Sequence, residues 1–481
     1  MSIFRSNNPL EFDLVDGIVI DETAPAPNVK AVGTGIAILV GLFERGPTAL
    51  LDVPSTAALY QTYGKGMLPG MVALQGKKFS QLRIARVDVT NAVLATRNFL
   101  ASATSILTIT PKQGKGAYGN GITVKIEAGS VSGKKYTITD TNPGAVLPQE
   151  IYDNVAVASI VSSGVFVPSQ LINVVVNSTA SDPDNIAATA LATGSDGTAS
   201  DADYQAAIDK CAVERAGNVL FLDEYNTTRN AALKAHAIAT QDKMVIVAGP
   251  KVQTVSAAVT DAALNRDTEG RIIYAYPWLE VAVAGVPTMV SPASFYASVI
   301  SQTAPSVDPA SADNVSFLLN VTNMQIILTR ADYITLMAAG VSAFEYDGDL
   351  GGFKIKSGIV TQVANSSKLT VARRRMADFL TNSIGVFLKL YQNGQNSKKV
   401  RNAIKGAILN FIKQQEDNGI LPKDSEVIGG TAKVVDTEVL NTNESIAAGF
   451  LKILYRQRIF SSNRFIVLQA EIGESVVVTE A

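Results

Sequence analysis

One histidine, His236, and one cysteine, Cys211, carry whatever acid–base and nucleophilic chemistry the chain could perform. A Ser-His-Asp or Cys-His mechanism takes the nucleophile's proton on an imidazole, so either would have to run through His236. That residue lies in an alanine-rich helical stretch, and Cys211 lies in Asp209-Lys-Cys-Ala-Val-Glu214, also an expected helix. No G-x-S-x-G elbow is present to raise a serine above a sheet. The expectation is therefore no catalytic residue.

Phosphate and metal chemistry fare no better. Gly114-Lys-Gly-Ala-Tyr-Gly119 matches G-x-G-x-x-G, but its continuation, Asn120-Gly-Ile-Thr-Val-Lys-Ile126, reads as a strand. A dinucleotide fingerprint needs a helix N-terminus there to receive the pyrophosphate, so a glycine-rich connection is the better reading. The G-x-x-x-x-G-K-[ST] pattern of a P-loop does not occur. Acidic clusters at Asp182 to Asp184, at Asp196, at Asp201 to Asp203 and at Asp347 to Asp349 lack EF-hand spacing and read as solvated turns. No cofactor and no metal is expected.

Charge is more informative. Between Val371 and Lys413 nine cations stand against the single acid Asp378, a local net charge of +8, which leaves −10 for the rest of a chain whose total is −2. In an expected helix from about Ser397 to Gln415, Lys398, Lys405 and Lys413 fall opposite Val400, Ile404, Ala407 and Phe411, with Lys399 and Arg401 on the flanks. One face packs and the other is a basic stripe, suited to an acidic partner surface.

The elements that must position these residues follow from composition and period. A length of 481 residues suggests about three domains. Only 17% of residues are charged while 47% are hydrophobic, which argues against disorder and favours association. A net charge of −2 supplies no field for nucleic acid or an anionic membrane. The lone cysteine fits a reducing compartment, and the expectation is a soluble protein without a secretory leader or membrane insertion.

Gly17-Ile-Val-Ile20, followed by a proline-broken segment, reads as an extended arm with no local strand to pair with. The apolar run Ile36 to Phe43 suits a strand buried on both faces. From about 101 to 200, short β-branched runs between Gly, Asn, Asp and Ser predict an all-β insertion. From about 201, strands alternate with helices and predict a βαβ layer. Two long amphipathic helices, about Thr370 to Tyr391 and Ser397 to Gln415, precede closing strands.

Several phrases, in order, resemble the contractile bacteriophage tail sheath family. They are Ile36 to Pro47 with its Arg45-Gly-Pro, Val53 to Gly64, Ala117-Tyr-Gly-Asn120, Gly194-Ser-Asp-Gly197 with Asp203-Tyr204, Tyr276-Pro-Trp-Leu279, Arg373-Arg-Arg-Met376, Gly449 to Leu454 and Arg464-Phe-Ile-Val467. The resemblance implies an α+β multidomain fold. An inner α/β domain is made from N- and C-terminal segments, with an all-β domain and a non-catalytic, subtilisin-like βαβ outer domain inserted.

The chain then divides into an arm (1–22), the first part of a sheath core (23–100), a β-rich outer domain (101–200), an α/β outer domain (201–345), a tube-facing inner domain (346–470) and a C-terminal arm (471–481). The family implies a homo-oligomeric helical sheath of stacked rings around a tail tube, meeting baseplate and tail terminator proteins, in a virion tail assembled in the host cytoplasm. Lys398, Lys399, Arg401 and Lys405 are the expected tube-facing residues. Gly17, Ile18, Val19, Ile20 and Ser475, Val476, Val477, Val478 are the expected inter-subunit arm strands. Two alternatives stand beside this reading: the sheath of a phage-derived injection particle, or tailocin, and, from another class, an unrecognised α/β hydrolase.

Overall fold

The computed structural model describes residues 3–5, 18–20, 29–31, 33, 35–66, 68–74, 78–214, 219–311, 318, 320–361, 370–423, 434–437 and 439–460. These fall into two units, one of residues 33–379 and a smaller one drawn from 1–32 and 380–460.

The larger unit is organised by strand β1 (Ala37–Gly41), buried at all five positions. Ala37 and Leu39 enter one core while Ile38 and Val40 enter another, which is why the run is continuously apolar and not alternating. Seven strands join it: β2 (Leu51–Asp52), β3 (Leu82–Arg86), β4 (Val219–Leu222), β5 (Met244–Ala248), β6 (Ile272–Tyr276), β7 (Val341–Asp347) and β8 (Gly352–Ile355). Their order is β8-β7-β6-β5-β4-β1-β3-β2. The inner six are parallel, and the antiparallel β8 and β2 close the two edges.

Numbered along the chain, the parallel strands lie 2-1-3-4-5-6, the flavodoxin-type doubly wound order, where a subtilisin-like topology is expected. The physical reason also corrects the domain division. β1 is apolar on both faces and hydrogen-bonds on both edges, to β3 and to β4, so residues 23–100 and 201–345 build one sheet and not two bodies.

Helices α1 (Thr56–Tyr63), α2 (Asp201–Lys210), α3 (Thr227–Thr240), α4 (Val255–Leu264), α5 (Pro292–Gln302), α6 (Arg330–Ala338) and α7 (Val371–Leu388) accompany the strands, and α8 (Lys398–Asp417) belongs to the smaller unit. Helices α2, α3, α4 and α6 cover one face of the sheet. The other face carries α5, buried from Pro292 to Ser301. The hydroxyls of Ser294, Ser298 and Ser301 donate back to carbonyls of Ser291, Phe295 and Ser298, which satisfies them inside the core.

Residues 97–190 form an insertion with a separate core. One sheet pairs Glu150–Val155, Lys134–Asp140, Ile122–Ala128 and Ile186–Ala190, and another pairs Ile172–Val176, Thr104–Pro111 and Arg97–Ala101. Ile122, Val124 and Ile126 point inward while Thr123, Lys125 and Glu127 are partly exposed, the alternation of a half-buried strand.

The smaller unit draws its C-terminal share from Leu380 onward, not from 346. The difference arises because β8 pairs with β7 and Arg375 is sealed against α5, so both stay with the larger unit. In the smaller unit α8 buries Ile404, Ala407, Ile408, Phe411 and Ile412, and Val434–Asp436 pairs antiparallel with Leu454–Arg456. Ile18–Ile20 pairs in parallel with Ile3–Arg5, so the N-terminal arm strand has a partner in its own chain, contrary to expectation. A parallel partner a dozen residues upstream cannot be read from hairpin signals. The expected arm residues Gly17 and Ser475 to Val478 lie outside the described residues.

Candidate functional site

His236 lies on α3 and is buried. Burial, with the charge of Lys243 nearby, pushes its imidazole toward the neutral form, and its Nε2 is buried without a partner among the described residues. Cys211 follows α2, also buried, with Sγ 3.5 Å from the Ala207 carbonyl; burial pushes its thiol up to about 12. A thiol protonated at neutral pH is a poor nucleophile. No hydrogen bond joins the two residues, so the structure assembles no nucleophile–base pair from them.

The glycine-rich loop has its own anion. Gly114 and Gly116 take φ of +97° and +131°, and the Ala117 amide donates to Asp196 Oδ1 at 2.8 Å. A Cβ on Gly116 would sit 2.7 Å from that carboxylate oxygen. A single 3-10 turn and then strand Ile122–Ala128 follow, so no α-helix N-terminus stands where a pyrophosphate would need one. Among the described residues no group of three or more His, Cys, Asp or Glu could hold a metal ion, and no helix is long and apolar enough to cross a membrane.

The distinctive phrases of the sequence meet one another at joints. Arg45 is buried, donates to the Tyr60 and Gln61 carbonyls at 3.0 Å each, and pairs with Asp140 at 3.4 Å. The Tyr118 hydroxyl bonds both the guanidinium and that carboxylate, tying the sheet body to the insertion. Asn120 and Gly194 exchange two bonds of 2.9 Å, locking the two glycine-containing phrases together. Asp203 closes a capping box with Ser200 at the start of α2.

Arg375 donates to the carbonyls of Ile300, Thr303 and Ala304, the position where a cation complements the C-terminal end of α5. Burial brings its guanidinium down to about 10, so it stays charged at neutral pH. Arg374 and Arg271 share Asp378. Arg374 and Arg375 are thus structural, and the cationic cluster expected across 371–413 is not one surface.

What remains is the outer face of α8. Lys398, Lys399, Lys405 and Lys413 are exposed along it, and Ser397 caps its start by accepting from the Val400 amide. Arg401 departs from expectation: it is half-buried, donating to the carbonyl and side-chain oxygens of Asn396 at 3.1 Å each. At 100° per residue it falls on the margin of the packed face, which the sequence placed only on a flank. Three of the four expected tube-facing residues therefore share an exposed surface.

Sequence reasoning missed Asp223, which follows β4 directly. It is buried, accepts from the Leu42 amide at 2.7 Å and from the Tyr204 hydroxyl at 3.0 Å, and burial raises its carboxyl to about 6. A Cβ on Gly41 would lie 2.7 Å from it, so only glycine fits there. The available signal was an acid at the end of an all-apolar strand; its neighbours become known only with the strand order.

No family model matches the sequence, and no curated protein matches it. Solved structures do. A sheath tail protein from Desulfitobacterium hafniense superposes with a TM-score of 0.64 at 16% identity, covering 93% of this chain and 100% of that one. The fold is that of contractile tail sheath proteins. A sheath tail protein from Listeria innocua gives 0.62 at 13% identity, over 86% of this chain and 90% of its own. The contracted helical sheath of the anti-feeding prophage gives 0.57 at 14% identity, over 95% and 99%. The sheath fold thus spans both units and the β insertion.

Proposed function

We propose that the chain is a structural subunit of a contractile sheath. It polymerises helically, as stacked rings, around a tail tube, and its contraction drives the tube through a host envelope to deliver a genome. The observation that carries this reading is the length of the likeness: 93% of this chain against the whole of a sheath tail protein. His236 and Cys211 are both buried and no hydrogen bond joins them, which favours the structural role over the hydrolase alternative. The likeness to the anti-feeding prophage sheath supports the second version of the role, a phage-derived injection particle, equally well. Baseplate and terminator proteins are the further partners, and the virion tail, assembled in the host cytoplasm, is the place of action.

On this reading Lys398, Lys399 and Lys405 face an acidic tube, and Arg401 supports the start of their helix. The arms join subunits through main-chain bonds: in the described residues the ribbon of Ile3–Arg5 and Ile18–Ile20 has two strands only, so each has an edge open to a further strand. Residues 475–478 take the corresponding role at the other end. The experiment is co-sedimentation of the purified chain with its tail tube protein. The chain should pellet with tube and stay in the supernatant with a tube whose acidic surface residues are neutralised; pelleting that ignores tube charge would overturn the tube-facing assignment.

A further inference from the structure

A second charged feature lies in the larger unit, at the seam between the sheet body and the β insertion. A cleft of about 680 Å³ opens there, with Arg86, Lys112 and Lys115 in its wall against one carboxylate, Asp88. Arg86, the last residue of β3, is 9% exposed. Its guanidinium donates to the carbonyls of Phe43, Gly46 and Lys115 at 3.3, 2.8 and 3.4 Å, and no carboxylate lies within ion-pair distance of it among the described residues. The carboxylates of Asp88 and Asp196 act on it only through space, so burial of the cation is incompletely offset and an arriving carboxylate lowers that cost. Pro47, Leu147 and Pro168 are the apolar residues of a wall whose other uncharged residues are mostly threonine, glutamine and serine.

The matching feature sits at the opposite flank of the sheet. The turn between β7 and β8, Asp347-Gly-Asp-Leu-Gly351, is held by the Asp347 carboxylate, which accepts from the Asp349 and Leu350 amides. Asp347 is occupied by Lys354, whereas Asp349 is exposed and has no cation within ion-pair distance among the described residues. Leu350 beside it is 45% exposed. Because β3 and β7 are parallel, the cleft and the turn lie at the same end of the sheet, five strand spacings apart, about 24 Å. One copy cannot place its own turn in its own cleft.

We infer that the cleft at Arg86, Lys112 and Lys115 receives the Asp349-Leu350 turn of a second copy of this chain. The contact is heterologous, one flank of a subunit against the opposite flank of the next, the arrangement that propagates open helical arrays. It rests on the sheath reading and names a body-to-body contact of that lattice, distinct from the arms.

The test uses the full chain. Lys115 and Asp349 are exposed, and the natural cysteine, Cys211, is buried, so K115C and D349C introduce the reactive thiols. The assembled double variant, treated with a short bismaleimide, should give a ladder of covalent multimers on a denaturing gel. A mixture of the two single variants should stop at the dimer, and each alone should stay monomeric. Tubes that form while the double variant remains monomeric on the gel would overturn the contact and leave the sheath reading intact. A wild-type chain that forms no tubes under any assembly condition would overturn the sheath reading and the contact with it. As a second measurement, D349K should lower the salt concentration at which tubes dissolve, and adding K115D should restore it; equal salt resistance of all three would also contradict the contact.

Discussion

Asp223 stands where the doubly wound sheet reverses direction, between the carboxyl ends of β1 and β4, the place where many folds of this order keep a ligand. Here the Leu42 amide and Tyr204 hydroxyl occupy its carboxylate from within the chain. Its carboxyl is raised to about 6 from an ordinary 3.8, so between those values the folded chain holds a proton that the unfolded chain releases. The group therefore costs stability above pH 6, and the cost fades as pH falls toward 4, on the order of 3 kcal/mol in all. D223N removes the titration. Wild type compared with D223N by denaturant unfolding should gain relative stability as the pH drops from 7 to 4, and a pH-independent difference would contradict the assignment. At Arg45 the expectation is simpler. Arg45→Ala leaves Asp140 buried without its cation and should lower unfolding stability by about 3–5 kcal/mol, whereas a loss under 1 kcal/mol would show that Tyr118 and solvent replace it.

Helix α8 separates what can be read from a sequence from what cannot. Its period-3.6 pattern correctly divides packed Ile404, Ala407, Ile408 and Phe411 from exposed Lys398, Lys405 and Lys413. Arg401 was misplaced because a flank position is decided by what lies beside it, here the Asn396 oxygens, and not by angle alone. The joints were visible as phrases but not as joints: nothing in the spacing of Arg45, Tyr118 and Asp140 says that they meet, since the contacts cross between separate sheets. Replacing Lys398, Lys399 and Lys405 by Glu should leave self-assembly intact and abolish co-sedimentation with tube. Exposed pairs contribute only about 0–1 kcal/mol each, but a lattice repeats them on every subunit, and they weaken as the screening length falls from ~10 Å at 0.1 M salt to ~3 Å at 1 M. Unchanged co-sedimentation would return the lysines to an ordinary solvated face. For the arms, deletion of residues 1–22 removes both Ile3–Arg5 and Ile18–Ile20 yet touches neither core of the sheet body. The truncated chain should be a folded monomer by circular dichroism and sedimentation velocity; polymers of wild-type length would reject the arm role.

At the scale of the molecule, two units of unequal size share one chain that leaves the smaller, builds the larger and returns. Domain division from sequence failed at β1 because a strand buried on both faces recruits neighbours from both sides of a long insertion, and linear composition cannot show that. The insertion itself was legible because its strands pair with near neighbours and its turns carry Gly, Asn and Asp. An assembly subunit needs strong main-chain links that survive rearrangement and weak polar contacts that can be exchanged. On the proposed reading the arms are the first, and the lysine face of α8 with the cleft at Arg86 is the second. Electron microscopy of the purified full chain tests this account most directly. It predicts hollow tubes of uniform width with a regular helical striation, while discrete monomers or closed, non-helical particles across the assembly conditions tried would contradict it.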